Sequence, residues 1–239
     1  MIRISLFLFF MSTIVLNCQE QAKMNDKKYD SQRENMIKNQ LTSRGIHDRA
    51  VLNAFREVKR HEFVPAYLKP FAYHDRPLPI GEGQTISQPY IVAFMTELLN
   101  LARTDTVLEI GTGSGYQAAI LAKLCAHVYS IEINEKLGKR AEQRLDSLGY
   151  DNVSVRIGDG YKGWPEHAPF NAIIVTCSPE NVPSPLEEQL AENGKLVIPV
   201  GDRSHQQLIV MKKKKGKLIR ERSIPVVFVP MVDSTGTRY

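Results

Sequence analysis

Short apolar runs separated by segments of helical composition dominate the chain from Thr106 onward. The runs have the length of β-strands and lie near residues 106–110, 128–133, 153–157, 172–176 and 195–200. Strands that alternate with helices predict a doubly wound, mostly parallel α/β sheet. The residues after the fifth run predict further strands and no helix, with Leu208–Met211 and Leu218–Arg222 as a C-terminal antiparallel hairpin.

Helices are predicted upstream of the sheet. Ser31 is placed to cap a helix that runs to Thr42, and Asp48 to cap a second helix over Arg49–Val58. Residues 59–87 contain several glycines and prolines and are predicted to be irregular. Pro89 then opens an apolar helix that extends to about Leu101. We expect residues 25–239 to form a single domain.

Residues 1–24 differ in character from the rest. A basic residue precedes the uncharged stretch Ile4–Leu16 and then Cys18, which is the layout of an export signal too short to span a bilayer comfortably. Cys18 would be the lipid-bearing residue of a loose lipoprotein site, although Asn17 departs from the usual small residue. Met24 offers another interpretation, in which the preceding residues are an over-extended start. Both alternatives stay open.

Composition narrows the function classes. A chain of 239 residues with 43% hydrophobic content suffices for one α/β domain, and its net charge of +5 is modest. The main basic cluster, Lys212–Lys215 with Lys217, surrounds Gly216 without interleaved aromatic residues, which favours a solvated hairpin tip over a nucleic-acid surface. The three cysteines form no C-x-x-C pair, so neither a zinc site nor a disulfide framework is indicated.

A glycine-rich loop follows the first predicted sheet strand. Glu109 stands two residues before a G-x-G-x-G run formed by Gly111, Gly113 and Gly115. A dinucleotide fingerprint would need its third glycine where Tyr116 stands, which argues against a nicotinamide dehydrogenase. The pattern resembles the first motif of S-adenosylmethionine-dependent methyltransferases.

The next predicted strand ends at Glu132, and an acid at this place can accept both hydroxyls of a bound ribose. Without the glycine loop, a solvated strand-end residue would be the preferred interpretation of Glu132. With the loop in place, the ribose role is favoured.

The segment before the first sheet helix identifies a family. Arg76–Tyr90 (RPLPIGEGQTISQPY) closely resembles the signature of protein-L-isoaspartate O-methyltransferases, and the resemblance extends from about residue 29 to the C-terminus. Further matching segments are Arg44–Ile46, Arg60–Pro65, the E-I-G-T-G-S-G loop, Gly158–Gly160, Leu196–Gly201 and Phe228–Met231. The chain departs from the family pattern at Asn171, where Asp is usual, and at Cys177-Ser178, where two alanines are usual. We expect these departures to alter local hydrogen bonding or titration without loss of activity.

The resemblance implies a metal-free enzyme that moves a methyl group from S-adenosyl-L-methionine to the free carboxylate of L-isoaspartyl residues in damaged proteins, with S-adenosyl-L-homocysteine as the other product. The methyl ester then closes to a succinimide, which starts repair. Such a carboxylate is ionised at neutral pH, so no general base is required. His61 and His74 therefore need no catalytic role.

The resemblance also assigns site residues. Ser87 is implied as the active-site serine, whose hydroxyl orients the attacking carboxylate. The implied cofactor residues are Thr85 and Ile86 at the methionine end, Glu109, Gly111, Gly113, Gly115 and Glu132, with Asp159 accepting the adenine amino group beside Gly160. Val229 and Pro230 would lie along the substrate peptide.

Several alternatives stand beside these assignments. Ser87 precedes Pro89 and is also placed to be a helix cap, and Asp159 lies in a Gly-Asp-Gly run that favours a turn. A nucleic-acid amino-methyltransferase would need an Asn/Asp-Pro-Pro-aromatic run where Thr176–Glu180 stands. A catalytically silent S-adenosylmethionine-binding module is the remaining alternative.

Cofactor supply favours the cytoplasm, because S-adenosylmethionine is made there. An exported protein, lipid-anchored at Cys18 in a bacterial envelope, is the other interpretation, and only then is membrane contact expected. We expect a monomer that binds damaged proteins and no nucleic acid.

Overall fold

The computed structural model of the protein describes residues 27–202 and 204–239. The segment 1–24, with the predicted signal and Cys18, lies outside the described residues. In the described part of the chain, no helix has the length and apolar character that a membrane crossing requires.

The N-terminal helices end and begin at recognisable signals. Helix α1 covers 27–36 and continues through a π-helical turn and a 3-10 turn to Arg44, where Gly45 adopts a left-handed conformation with φ of 92°. The predicted cap at Ser31 is wrong, because helical residues precede it from position 27. The cap at Asp48 is confirmed: its Oδ1 accepts the N–H groups of Ala50 and Val51 at the start of α2 (Arg49–Glu57).

The predicted irregular stretch contains two 3-10 turns, Arg60–Phe63 and Ala66–Phe71, and then a short hairpin. Strands β1 (Leu78–Gly81) and β2 (Gln84–Ile86) pair antiparallel in a separate two-stranded sheet. The prediction that residues 59–87 are irregular is therefore wrong for this hairpin, in spite of the prolines near β1. Proline is tolerated here because β1 pairs with β2 alone. The other edge of β1 has no neighbour among the described strands, so no backbone hydrogen bonds are required there.

A seven-stranded sheet forms the centre of the domain. Its strands are β3 (Thr106–Ile110), β4 (His127–Glu132), β5 (Val153–Ile157), β6 (Phe170–Val175), β7 (Leu190–Gly201), β8 (Gln206–Lys214) and β9 (Lys217–Val226). Their order is β5-β4-β3-β6-β7-β8-β9; β3 to β7 are parallel, and β8 and β9 are antiparallel additions. The predicted mostly parallel sheet with a C-terminal antiparallel hairpin is confirmed.

Four helices accompany the sheet: α3 (Pro89–Leu99), α4 (Tyr116–Ala122), α5 (Glu135–Ser147) and α6 (Ser184–Gln189). The sheet separates two apolar clusters. On β3, Val107 belongs to the larger cluster with α2, α3 and α4, whereas Leu108 and Ile110 belong to the smaller cluster on the other face. This alternation follows the two-residue period of a strand.

The lysine cluster lies at the β8–β9 hairpin tip, as predicted. Lys214 pairs with Lys217 across a two-residue turn, in which Lys215 and Gly216 have positive φ. Lys213 Nζ donates to the carbonyl oxygens of Glu187, Glu188 and Leu190 at the end of α6. Lys213 therefore stabilises the C-terminal end of α6, where a cation is favourable.

Candidate functional site

A cleft opens at the carboxyl ends of β3, β4 and β6. The strand order reverses between β3 and β6, because β4 and β5 lie on one side of β3, and β6 and β7 on the other. Ligands of open α/β sheets bind at this place. The cleft has about 960 Å³ of empty space including its mouth, within the range of ligand pockets. Most of the predicted site residues line it: Thr85, Ile86, Ser87, Gly111, Gly113, Glu132, Gly160, Val229 and Pro230.

The glycine loop is held tightly against the end of β6. Thr176 Oγ1 donates to the carbonyl oxygens of Ile110 and Gly111, at 3.0 and 2.8 Å. Gly111 has a φ of 96°, and a Cβ there would lie 2.3 Å from Thr176 Oγ1. Only glycine fits this position without displacing the loop.

Glu132 fixes the other side of the loop. Its Oε2 accepts the N–H of Gly113 at 2.8 Å, and its Oε1 accepts the N–H of Asn134 at 2.9 Å. Glu132 as a whole is 6% exposed, and burial raises the pKa of its carboxyl group while these backbone N–H groups oppose the rise. Each oxygen keeps a further acceptor site, so Glu132 is able to accept two ligand hydroxyls while it holds the loop.

Glu109 does not line the cleft. It lies beside Ser130 of β4, whose Oγ donates to Glu109 Oε2, and Thr112 Oγ1 lies 2.6 Å from the same Ser130 Oγ. The side chain is fully buried, and its Oε1 has no hydrogen-bond partner among the described residues. Burial, with the Glu132 charge adding to it, raises the pKa of Glu109 to about 8. The geometry makes Glu109 a support behind the loop.

Gly115 and Asp159 also lie outside the lining of the cleft. Gly115 begins α4 with a φ of 86°, and a Cβ there would lie 3.3 Å from Leu145 on α5, so it serves helix packing. Asp159 Oδ1 accepts the N–H of Tyr161, as its turn interpretation predicted. The next residue, Gly160, reaches the cleft, where a Cβ would lie 2.3 Å from Ile110 Cγ2.

Ser87 lies between β2 and α3 and is half-buried in the lining of the cleft. The helix-cap alternative for Ser87 is wrong, since Gln88 occupies the cap position of α3. The Ser87 carbonyl oxygen accepts from Arg60 Nη2 at 2.7 Å. Arg60 therefore fixes the backbone of Ser87. The Ser87 hydroxyl makes no hydrogen bond to another of the described residues.

Arg60 is a residue whose role the sequence did not suggest. Its guanidinium is completely buried, donates from Nε to the Ala72 carbonyl oxygen at 2.8 Å, and lies 4.8 Å from the Tyr116 ring centroid. Burial lowers the pKa of Arg60 to about 10, which leaves it charged at neutral pH. Tyr116 and Ser87 both line the cleft, so a buried cation stands directly behind its wall.

The lining segment that contains Val229 and Met231 is joined to the chain that follows β6. Ser178 donates its N–H to the Val229 carbonyl oxygen at 2.8 Å and accepts the N–H of Met231 at 2.9 Å. These are backbone bonds, which explains why a serine is tolerated where the family usually has alanine. Cys177 lines the cleft, and burial, assisted by the Glu132 charge, raises the pKa of its thiol to about 12.

The other departure, Asn171, lies at the opposite end of the sheet. Its Oδ1 accepts the N–H of Thr106 at 2.8 Å and the Thr106 hydroxyl at 3.2 Å. An aspartate would accept the same bonds. His61, in contact with Tyr73 at 2.8 Å, and His74 likewise lie outside the lining of the cleft. The described residues include no cluster of three His, Cys, Asp or Glu that would hold a metal ion.

The fold and the site together define a class. A parallel sheet with a glycine loop after its central strand, and an acid that ends the neighbouring strand and bonds to that loop, are the features of the S-adenosylmethionine-dependent methyltransferases. The family model of protein-L-isoaspartate(D-aspartate) O-methyltransferase (PCMT) matches residues 31–236, and the chain belongs to this family.

The sequences of known relatives can be aligned with most of this chain. The protein-L-isoaspartate O-methyltransferase of Opitutus terrae is 57% identical over 212 residues, which is 88% of each chain. Protein-L-isoaspartate O-methyltransferase 2 of Shewanella sediminis is 51% identical over 230 residues, 95% of this chain and 94% of the relative. A crystal structure of a proposed family member from Plasmodium falciparum, in complex with S-adenosyl-L-homocysteine, is 29% identical. Its TM-score is 0.73, and the match covers 85% of this chain and 97% of that one.

Proposed function

We propose that the cleft binds S-adenosyl-L-methionine beside an L-isoaspartyl residue of a damaged protein and methylates the free carboxylate of that residue. The observation that supports this most directly is the convergence of Ser87, the glycine loop and Glu132 on one cleft. The family to which the chain belongs gives the same reaction, because its members are protein-L-isoaspartate O-methyltransferases.

The residues present fit the cofactor. Gly111 and Gly113 leave the loop backbone open to a close ligand, and the Glu132 carboxylate faces the same space for the two ribose hydroxyls. Thr85 and Ile86 line the methionine end. When bound, S-adenosyl-L-methionine supplies the electrophilic methyl group. Glu132→Ala should weaken S-adenosyl-L-homocysteine binding by about 1.5–3 kcal/mol, the range for hydrogen bonds to a charged group, and calorimetry on folded protein measures this.

The chain's own contribution is alignment and exclusion of water. Ser87 is proposed to donate its hydroxyl to one oxygen of the substrate carboxylate and leave the other oxygen to attack. Arg60 holds the Ser87 backbone at 2.7 Å and places a positive charge behind the bound anion. Val229 and Pro230 also line the cleft, and the substrate peptide is proposed to lie along them.

After methylation, the ester is a good acyl donor. The neighbouring backbone nitrogen of the substrate closes a succinimide and expels methanol, and water reopens the ring partly to normal aspartate. These later steps need no residue of the cleft.

Transfer of a labelled methyl group to an isoaspartyl peptide, measured beside its normal aspartyl twin, tests the proposal. We expect label on the isoaspartyl peptide alone. Equal labelling of both peptides would contradict the substrate assignment. A protein that binds S-adenosyl-L-homocysteine and labels neither peptide would be a catalytically silent binding module.

We infer a cytoplasmic location from the source of the cofactor. Cell fractionation, with mass spectrometry of the mature N-terminus, tests it. A soluble chain that begins at Met1 or Met24 would agree with repair in the cytoplasm. A lipid on Cys18 would overturn this inference and place the protein in the envelope.

A further inference from the structure

The residues after Pro230 fold back on themselves beside the cleft. We call residues 231–239 the return hairpin. Val232 and Arg238 form an antiparallel bridge across it, and Asp233 Oδ1 accepts the N–H groups of Thr235 and Thr237 at its turn. Its first two residues line the cleft.

Tyr239 is anchored at the end of the return hairpin by backbone bonds. Its N–H donates to the Met231 carbonyl oxygen at 3.2 Å, and its backbone oxygen accepts the N–H of Glu180 at 2.8 Å. The ring is thereby held over Tyr161, with the two ring centroids 4.2 Å apart and the planes inclined by 21°.

The Tyr239 hydroxyl contacts the side chain of Asp159, the residue before Gly160 of the cleft lining. It donates to Asp159 Oδ2 at 2.5 Å, and this hydrogen bond is the main reason that the pKa of Tyr239 is raised to about 12. The hydroxyl is therefore protonated at neutral pH and acts as a donor. The match to the family model ends at residue 236, so Tyr239 lies beyond it.

Two donors together fix the Asp159 carboxylate. Oδ1 accepts the Tyr161 N–H at 3.0 Å, while Oδ2 accepts the Tyr239 hydroxyl. Asp159 is joined directly to Gly160, which lines the cleft. Each carboxylate oxygen has a second acceptor site, so the two bonds set the orientation of the carboxylate and leave it able to accept from a ligand.

We propose that Tyr239 is a positioning residue for adenine recognition: its hydroxyl holds the Asp159 carboxylate where that carboxylate accepts the adenine amino group. The inference rests on the adenine role that the family resemblance implies for Asp159, and it adds a residue that the family match does not include. Removal of the hydroxyl leaves the ring stack in place and frees Asp159 to rotate.

Calorimetric binding of S-adenosyl-L-homocysteine to Tyr239→Phe tests the proposal. We expect binding about tenfold weaker than that of the wild type, in the range of one hydrogen bond to a charged group. S-inosyl-L-homocysteine, which has an oxygen in place of the adenine amino group, is the second probe. The preference of the variant for the adenine ligand should shrink by a similar factor, a change that general loosening of the hairpin would not produce.

Two further variants make the outcome decisive. Tyr67→Phe removes the hydroxyl of a tyrosine that is 72% exposed, and it should bind both ligands as the wild type does. Asp159→Asn keeps an acceptor for the Tyr161 N–H but turns the other atom into a donor, so it should shift preference toward the inosyl ligand. Thermal unfolding without ligand checks that each variant is folded.

The possible failures are distinguishable. If Asp159→Asn shifts the preference and Tyr239→Phe binds as tightly as the wild type or more tightly, the Tyr239 proposal is overturned while the adenine assignment stands. If Asp159→Asn keeps the wild-type preference, both are overturned. Neither result affects the isoaspartyl specificity, which the labelled-methyl experiment measures separately.

Discussion

The two ends of the cleft are built differently. At the cofactor end, Gly111 and Gly113 follow β3 and Glu132 ends the adjacent parallel strand β4, and hydrogen bonds of 2.8 to 3.0 Å join the loop to Glu132 and to Thr176 at the end of β6. At the substrate end, Ser87 comes from the segment before α3 and Val229 from a segment far along the chain, and different partners hold each of them.

This difference indicates how a substitution at each end should affect stability, binding and turnover. The cofactor end is continuous with the central sheet, so a change there disturbs folding and binding together. The substrate end consists of two segments laid against the sheet, so a change there can alter turnover while stability is kept. Substitutions at the two ends should therefore separate the two effects.

The largest effect is expected at the cofactor end for Gly111→Ala. The new Cβ would meet Thr176 Oγ1 at 2.3 Å, and alanine is strained at a φ of 96°. Left-handed strain and overpacking together should cost about 2–5 kcal/mol of folding stability, and S-adenosyl-L-homocysteine binding should fall below detection. Denaturant unfolding and calorimetry measure the two losses.

Gly149→Ala is the matched control for this prediction. Gly149 has a φ of 75°, and nothing lies within 4 Å of a Cβ built there. It should show the backbone strain alone and bind S-adenosyl-L-homocysteine normally. Equal behaviour of the two variants would mean that the loop can yield, and that the cofactor end is less rigid than its contacts indicate.

Glu109→Gln tests the support behind the loop through its pH dependence. The folded pKa is about 8, above the ordinary value of 4.5, so the stabilising effect of the bound proton is complete below about pH 4.5 and is lost as the pH rises toward 8. Glutamine is neutral throughout. The stability of the variant relative to the wild type should therefore grow between pH 5 and 8, by up to about 1.4 kcal/mol per pH unit.

Urea unfolding of both proteins across this range measures the difference. Glu188→Gln, at an exposed position on α6, serves as the control variant. Parallel stability curves for the wild type and Glu109→Gln would show that Glu109 is ionised in the folded protein.

Ser87→Ala tests the substrate end. Loss of one positioning hydrogen bond should lower kcat by about 10- to 1,000-fold, by analogy with removal of a single oriented donor elsewhere. The KM for S-adenosyl-L-methionine and the thermal midpoint should change little, since Gln88, and not Ser87, is the cap residue of α3. Steady-state kinetics and thermal unfolding on one preparation measure both.

Ser147→Ala, at an exposed position on α5, is a suitable control and should leave kinetics unchanged. A loss of stability in Ser87→Ala without a loss of turnover would assign the serine a purely structural role. A covalent methyl or acyl adduct trapped on Ser87 would rule out direct transfer.

The same contrast explains what the sequence could predict. The strands and glycine loop of the cofactor end were predictable because their signals are local: Glu109, the glycines and Glu132 lie within one strand-loop-helix-strand unit. Yet the direct cofactor role predicted for Glu109 is not what its position indicates. Strand alternation places it beside Ser130 behind the loop, and a motif does not show that its acid points away from the ligand.

Features that depend on distant packing were missed. Nothing near Arg60 in the sequence distinguishes a buried arginine from a surface one, because its burial arises from Ala72, Ser87 and Tyr116. Ser31 has the chemistry of a cap, but the helix begins before it. The β1–β2 hairpin was hidden by its prolines, whose tolerance depends on the strand having a free edge.

The smallest effect is expected for Asn171→Asp, which restores the residue usual in the family at the end of the sheet away from the cleft. The aspartate would accept the Thr106 N–H and hydroxyl that Asn171 Oδ1 now accepts, at an exposed site where the added charge is well solvated. Stability should change by no more than about 0.5 kcal/mol, as for most surface substitutions, and methyl transfer should be unchanged. Thr106→Val, which deletes the hydroxyl but keeps the backbone donor, should be equally mild. A change of more than about threefold in kcat for Asn171→Asp would show that the amino ends of β3 and β6 are coupled to the cleft at the carboxyl ends of these strands.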